Sequence, residues 1–479
     1  MFVKRFFEPL IAQNSYLIGC SSAHEAIVID PNRDIQPYLD AAEREGLQIT
    51  HVTETHIHAD FLSGARELAH RTGARLCLSD EGGQDWKYQF DHNVKLKHGD
   101  RITIGNVRLE VLHTPGHTPE HVTFLITDGA SADQPIAAVT GDFIFVGDVG
   151  RPDLLERAAK MAGTMEQSAK TLWQSLQEFK AHPDWLQLWP GHGAGSSCGK
   201  GISAIPHSTL GYERLFNWAF TAKSEAEFVK SVLTGQPEPP AYYAAMKQMN
   251  KLGPPLLGAT PAPRFMKHPA ARISPRPEPS PLRAGDLVNV LTRGALVIDT
   301  RPAAEFARGH MPGTLNIPLN GSFVTWAGWL VPYISDFYAI VDDESAERLK
   351  ELRRALSLIG LDRFVGYFSD TAIAHAAAEG TTLGTVDQMT PDQLRATEGV
   401  TVIDVRNANE WNGGHLPSAI HIPLGHLAER IAEVPADRQM VVHCQTGGRS
   451  AIAASLLKRL GRDRVSNLAG GYDALANHR

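Results

Sequence analysis

The feature that most limits how this chain can fold is a near-repeat in its C-terminal half. Val297-Ile298-Asp299-Thr300-Arg301 returns as Val402-Ile403-Asp404-Val405-Arg406, Glu305-Phe306 as Glu410-Trp411, and the run Gly309 to Pro318 as Gly414 to Pro423. The period of about 105 residues is too long for a solenoid and has the size of a compact domain. Within each copy apolar strands alternate with amphipathic helices, which is the pattern of a parallel sheet covered by helices on both faces. Two copies of one α/β domain are therefore expected, at 284–380 and 386–479. A Pro-rich linker at 251–283 precedes them, with Gly253-Pro254-Pro255 and Pro275-Arg276-Pro277-Glu278-Pro279 favouring extended backbone. Residues 1–250 make up the remaining domain, so the 479 residues divide into the roughly three domains expected of that length.

Composition narrows the functional classes. The chain is 43% apolar and 21% charged, with a net charge of −7, which suits a soluble protein and disfavours nucleic acid or an anionic membrane as partner. No apolar run approaches the ~18 residues of a spanning helix. The segment Met1 to Leu10 lacks a signal-peptide core and reads as a first strand. Cys20, Cys77, Cys198 and Cys444 are too few and too scattered for a disulfide framework, so a reducing cytoplasm is expected.

In the first domain, each chemically distinctive residue directly follows an expected strand, where loops carry function on a rigid frame. The pieces are Thr55-His56-Ile57-His58-Ala59-Asp60-Phe61, Thr114-Pro115-Gly116-His117, Thr140-Gly141-Asp142 and Trp189-Pro190-Gly191-His192. Gly150-Arg151-Pro152-Asp153 lies between the last two. A Gly/Ser-rich loop after His192 carries Cys198, close enough in sequence to reach the same pocket and to hold a substrate sulfur, or else an incidental thiol. In the last domain, the expected strand Gln439 to His443 runs into Cys444-Gln445-Thr446-Gly447-Gly448-Arg449 and a helix. Inward backbone N–H groups of such a loop, the positive helix end and Arg449 would together lower the Cys444 pKa and stabilise a bound anion. Gly447 and Gly448 permit the tight path. In the first copy, aligning Ala339-Ile340-Val341 with Met440-Val441-Val442 puts Asp342 to Arg348 at this loop. No Cys is present, and the carboxylates of Asp342, Asp343, Glu344 and Glu347 would repel an anion. That copy reads as a catalytically silent spacer or docking module. Trp326 and Trp329 are expected either in its core or in an interdomain or subunit contact.

The motifs of the first half resemble the metallo-β-lactamase superfamily in order and spacing, and the repeated unit resembles rhodanese domains. The resemblance implies an α/β multidomain chain: a metallo-β-lactamase αββα sandwich followed by two rhodanese-like α/β domains, one degenerate and one active. Two-metal members would use Asp60 and a His at position 61 for a second ion. Phe61 cannot ligate, which argues for one metal. Within the superfamily the likeness is to persulfide dioxygenases. That resemblance implies one Fe(II) per chain on His56, His117 and Asp142, a facial triad with open positions for a substrate sulfur and O2. His58, Asp60 and His192 are expected to orient ligands and substrate by hydrogen bonds, with direct ligation by His58 or His192 as the rival. Arg151 falls where the family places a substrate-binding Arg; it would pair with a carboxylate of a glutathione-like carrier or tie down its own loop. The Cys444 loop, with Gln445, Thr446, Gly447 and Gly448 cradling the substrate, would exchange sulfane sulfur. Asp404 and Arg406 would support that loop.

The expected function is oxidation of a low-molecular-weight persulfide, on a glutathione- or coenzyme A-like carrier, to sulfite with O2. Cys444 would exchange sulfur with sulfite and thiosulfate in sulfide detoxification, and a homo-oligomer is compatible with it. The alternatives are a zinc hydrolase of the glyoxalase II or lactonase kind and a non-catalytic sulfur carrier or sensor.

Overall fold

The structure is a computed structural model that describes residues 1–91, 94–154, 163–257, 279–342 and 346–476. Most of the expected linker, and Asp343, Glu344 and Ser345, lie outside the described residues. The chain forms two compact units, Met1–Pro275 with Ser357–Gly360, and Arg276–Leu356 with Leu361–Arg479.

The first unit contains two six-stranded sheets. Alternation along each strand sends neighbouring side chains to opposite faces. In Gln13–Cys20, Tyr16 and Ile18 enter the core between the sheets, whereas Leu17 points outward. Ile27 and Ile29 of Glu25–Ile29 likewise point inward and Val28 outward. From the other sheet Leu109, Val111, Phe124, Ile126 and Val139 complete the central core. Outward residues of the first sheet pack against the helices Gln36–Arg44 and Ala65–Thr72, through Tyr38, Ala41 and Leu68. Outward residues of the second, Leu125, Ala138 and Leu188, pack against Met165–Phe179 through Leu172 and Leu176. The result is helix, sheet, sheet, helix. Each fully buried Leu, Ile, Val or Phe contributes about 1.5–3 kcal/mol relative to exposure, so the two-sided strands hold all four layers together.

The second unit holds two five-stranded sheets whose pairings are all parallel. In one, the spatial order is Ser280–Pro281, Phe364–Ser369, Phe337–Val341, Leu296–Asp299, Leu315–Asn316. In the other it is Asp387–Met389, Val465–Leu468, Met440–His443, Thr401–Asp404, Ile420–His421. The strand order is the same in both, so the near-repeat is a repeat of topology. The two sheets are joined by packing of the helix Gly448–Arg459 against Leu315–Asn316, where Ser455 Oγ accepts a hydrogen bond from Asn316 N at 3.0 Å. Trp329 meets His426 edge-on at 5.4 Å, which makes it an interdomain contact between the copies. Among the described residues, no helix is long and apolar enough to cross a membrane.

Candidate functional site

The histidine loop lies at the end of Gln48–Thr53 and is fastened from three directions. Asp30, at the end of the neighbouring strand, accepts from Thr55 N at 2.6 Å and Thr55 Oγ1 at 2.9 Å. Glu120 Oε1 accepts from Ile57 N at 2.9 Å. Asn250, from the helix Tyr242–Leu252, donates through Nδ2 to the carbonyls of His58 and Phe61, both at 2.8 Å, and accepts from Ser63 N at 2.9 Å. The following helix is capped at Gly64 without a side-chain bond, although Ser63 Oγ accepts from Ala65 N.

His56 from the first sheet meets His117 and Asp142 from the second, with one potential ligand atom of each lying within 4.8 Å of the others. All three are buried. Burial and neighbouring imidazoles hold His56 well below the usual range. Burial, with Lys247, lowers His117 to about 3. Both rings are therefore neutral, as a metal ligand requires. His117 Nδ1 lies 2.9 Å from the Arg151 carbonyl; donating there leaves Nε2 bare towards the site. Burial raises Asp142 to about 6. No nitrogen or oxygen donor satisfies either of its carboxylate oxygens: Nε2 of His117 and of His192 approach only to 3.6 and 3.4 Å, and the Cys198 thiol interacts with the carboxylate weakly. Buried, unsatisfied carboxylate oxygens beside two neutral imidazoles fit a cation. His121, which belongs to none of the four motifs, accepts through Nε2 from Asp142 N at 3.2 Å, and its ring stacks 5.2 Å from that of His56.

His58 is turned away from this group. Its Nε2 faces Asp30 at 3.1 Å, and although burial opposes protonation, Asp30 carries its pKa up to about 9. Phe61 packs its ring 4.4 Å from that of His58. Asp60, His192 and Cys198 form a second three-donor group, with His192 Nε2 3.2 Å from Asp60 and its Nδ1 3.1 Å from the Ala12 carbonyl. Burial, then the carboxylates of Asp60 and Asp142, push the Cys198 thiol well up.

Of the two roles expected for Arg151, the geometry matches the loop tie. Arg151 is fully buried and grips Asp153 with two hydrogen bonds of 2.7 and 2.8 Å. Its third donor reaches the Ser197 carbonyl at 3.0 Å, and its backbone N–H reaches the Cys198 carbonyl at 3.2 Å. The guanidinium thus ties the loop after Asp142 to the Cys198 loop rather than facing a substrate carboxylate. Gly150 has to be a glycine here, because a Cβ would overlap the Asp142 carbonyl oxygen. Sequence reading also missed Lys247, which carries no motif. Burial draws its pKa down to about 8 against the attraction of Glu120.

In the second unit, Cys444 is buried at the end of Met440–His443. Gly447 N donates to its Sγ at 3.1 Å and Ser450 Oγ lies 3.6 Å away. Gly447 has φ of +107°, which favours glycine. Burial alone would raise the Cys444 pKa, but the hydrogen bonds from Ser450 and Gly447 and the charge of Arg449 outweigh it and lower it. Arg449 also pairs with Glu410, at 2.7 and 2.5 Å, so its charge is shared rather than delivered whole to the loop. Gln445 turns its side chain aside: Oε1 accepts from Arg406 at 3.0 Å, and Nε2 donates to Asp473. Arg406 grips Asp404 and the Gly414 carbonyl, bracing the loop. Thr446, Gly448 and Arg449 line a cavity with Cys444.

The degenerate copy is aligned differently from the sequence expectation. Ala339 pairs with Ile298, whereas Val442 pairs with the equivalent Ile403. Ala339 therefore corresponds to Val442 and Val341 to Cys444, a shift of two residues. Of the four expected carboxylates, Asp343 and Glu344 fall outside the described residues and Glu347 is exposed. Asp342 is paired with Arg348 at 2.9 Å, so it does not present a bare charge.

The metallo-beta-lactamase superfamily matches residues 9–192 and the rhodanese-like domain family matches residues 390–478. A crystal structure of a metallo-beta-lactamase from Staphylococcus aureus superposes with a TM-score of 0.67 at 41% identity, covering 77% of this chain and 99% of that one. The human mitochondrial persulfide dioxygenase ETHE1 is 31% identical over 232 residues, covering 48% of this chain and 79% of its own length. A beta-lactamase hydrolase-like protein of Agrobacterium fabrum is 27% identical over 259 residues, covering 48% of this chain; the chain spans only 54% of that relative. With its paired sheets, its buried donors and these likenesses, the chain belongs to the metallo-β-lactamase superfamily, as a homologue of persulfide dioxygenases fused to a C-terminal rhodanese-like domain.

Proposed function

We propose that the chain oxidises the outer sulfur of a low-molecular-weight persulfide to sulfite with O2, at a single Fe(II) held by His56, His117 and Asp142. In the same proposal, Cys444 exchanges sulfane sulfur between persulfide, sulfite and thiosulfate. The observation that carries the first half is the buried group of two neutral imidazoles and one carboxylate with unsatisfied oxygens. Ferrous iron bound there would supply the redox chemistry that lets O2 react with a sulfur ligand. The protein's own part is orientation. The Arg151 carbonyl fixes the His117 ring, His121 fixes the Asp142 backbone, and Asn250 fixes the loop of His56. Cys198, kept protonated by burial and two carboxylates, would donate a hydrogen bond rather than attack.

At Cys444 the lowered pKa favours thiolate. The thiolate takes the outer sulfur of a persulfide and releases the carrier thiol. Sulfite then attacks that sulfur, so that Cys444–S–S⁻ and sulfite become Cys444–S⁻ and thiosulfate, with charge conserved. Linking both sites in one chain raises the local concentration of the shared intermediate. The carrier is taken to be glutathione- or coenzyme A-like. Four free cysteines fit a reducing cytoplasm and a role in sulfide detoxification.

A second reading, a two-metal hydrolase, is favoured by the group Asp60, His192 and Cys198, in which Cys198 makes up for Phe61. Anaerobic purification with metal quantification, followed by O2 uptake across a panel of persulfides, separates the two. One iron per chain with persulfide-dependent O2 uptake is expected. Two metals per chain, thioester cleavage and no O2 uptake would replace the first reading with the second.

A further inference from the structure

The cavity at Cys444 is built largely by the copy that has lost its cysteine. It measures about 530 Å³ and is lined by Leu319, Asn320, Trp326 and Arg348 from the degenerate copy, facing Cys444 and Arg449 of the active one. Thiosulfate displaces only two or three waters, roughly 60–90 Å³ at about 30 Å³ per water. The space is several times what an inorganic donor fills and lies in the range that takes small organic ligands. Arg348 stands in the first turn of Ala346–Leu358, as Arg449 stands in the first turn of Gly448–Arg459, so equivalent helices of the two copies each bring one guanidinium to one cavity. Leu319 and Trp326 add an apolar wall for a methylene or peptide body.

We propose that the degenerate copy is the carrier-binding half of the Cys444 site. Its ligand is an organic persulfide of small-peptide size that bears a carboxylate, and Arg348 determines specificity by binding that carboxylate. This rests on the reading of Cys444 as a sulfur-transfer residue. Arg348 is paired with Asp342 at 2.9 Å and with Glu351 at 2.9 Å. Glu351 is 51% exposed, so that pair is screened by solvent and is the one a carrier carboxylate displaces. With the carrier seated, Cys444 thiolate attacks the outer sulfur of R–S–SH. The S–S bond breaks, its electron pair leaves on the inner sulfur, and the proton moves there, giving Cys444–S–S⁻ and R–SH. No external oxidant or reductant enters.

The test is the rate of one-sulfur mass gain on Cys444 in the full chain, anaerobically, with glutathione persulfide or thiosulfate as donor. Arg348→Gln should raise half-saturation by glutathione persulfide about tenfold, the loss expected for one charge-assisted hydrogen bond, while thiosulfate loading stays within twofold. Arg348→Lys should fall between, and Trp326→Ala should weaken the organic donor alone. The proposal is overturned if both Arg348→Gln and Trp326→Ala leave glutathione persulfide loading within twofold. A parallel loss of both donors, which signals damage to the loop rather than to carrier recognition, overturns it equally. A native chain whose Cys444 gains no sulfur from either donor removes the sulfur-transfer reading itself, a result none of the variants can mimic.

Discussion

Removing the side chain of Asn250 should loosen the metal loop from behind. Asn250 is buried and makes three hydrogen bonds of 2.8–2.9 Å to the backbone of His58, Phe61 and Ser63. At about 1 kcal/mol net for each, Asn250→Ala costs the closed loop about 3 kcal/mol, before counting the carbonyls left buried without donors. Since 1.4 kcal/mol is a factor of ten, the opening equilibrium shifts by roughly 10². The Ser63 amide reports this directly, because its proton is held by Asn250 Oδ1. Native-state hydrogen exchange over a peptide containing Ser63 should therefore speed up about a hundredfold, with distant strands of the same sheet unaffected. Metal affinity should fall roughly 10- to 100-fold, as for other losses of groups that orient ligands. Exchange at Ser63 within threefold of the native rate, in a folded variant, would refute the idea that this helix positions the loop.

Three further outcomes follow from the site geometry. Asp142→Ala should lose bound metal and persulfide-dependent O2 uptake together, and metal analysis alongside an O2 electrode checks both; retention of metal would move the ligand set elsewhere. The Cys444 pKa is lowered in the folded chain, so thiolate persists below the ordinary thiol range and reactivity is lost only as pH falls through the lowered value. Ser450→Ala should move that loss to higher pH in an alkylation profile, and an unshifted profile would exclude Ser450 as its cause. Glu410→Gln should release Arg449 and carry the alkylation profile to lower pH, with sulfur loading of Cys444 faster at acidic pH; no movement would mean the pair does not restrain the guanidinium.

Which features were legible in the sequence depended on how local their cause is. His56, His117 and Asp142 each follow a strand with a short motif, so strand-end placement alone brought them to one end of the sandwich. Asn250, Asp30 and Glu120 carry no spacing signal. They act through hydrogen bonds that span 25 to 192 residues of sequence, which only the folded chain reveals. For Arg151 both a substrate role and a loop tie stayed open although its partner is two residues away, since nothing in the sequence tells a buried bidentate pair from two solvated charges. The degenerate copy was misaligned by two residues for a physical reason. A two-residue slip returns every side chain of a strand to the same face, so the apolar pattern of Phe337–Val341 is satisfied by either alignment, and only the pairing partners decide.

The donors of the first site come from opposite layers: His56 follows a strand of one sheet, and His117 and Asp142 follow strands of the other. An ion gripped by all three acts as a rivet through the seam of the sandwich. Its binding free energy then adds to the cohesion of the whole first unit, which makes resistance to heat or protease a gauge of metal loading that needs no turnover to read.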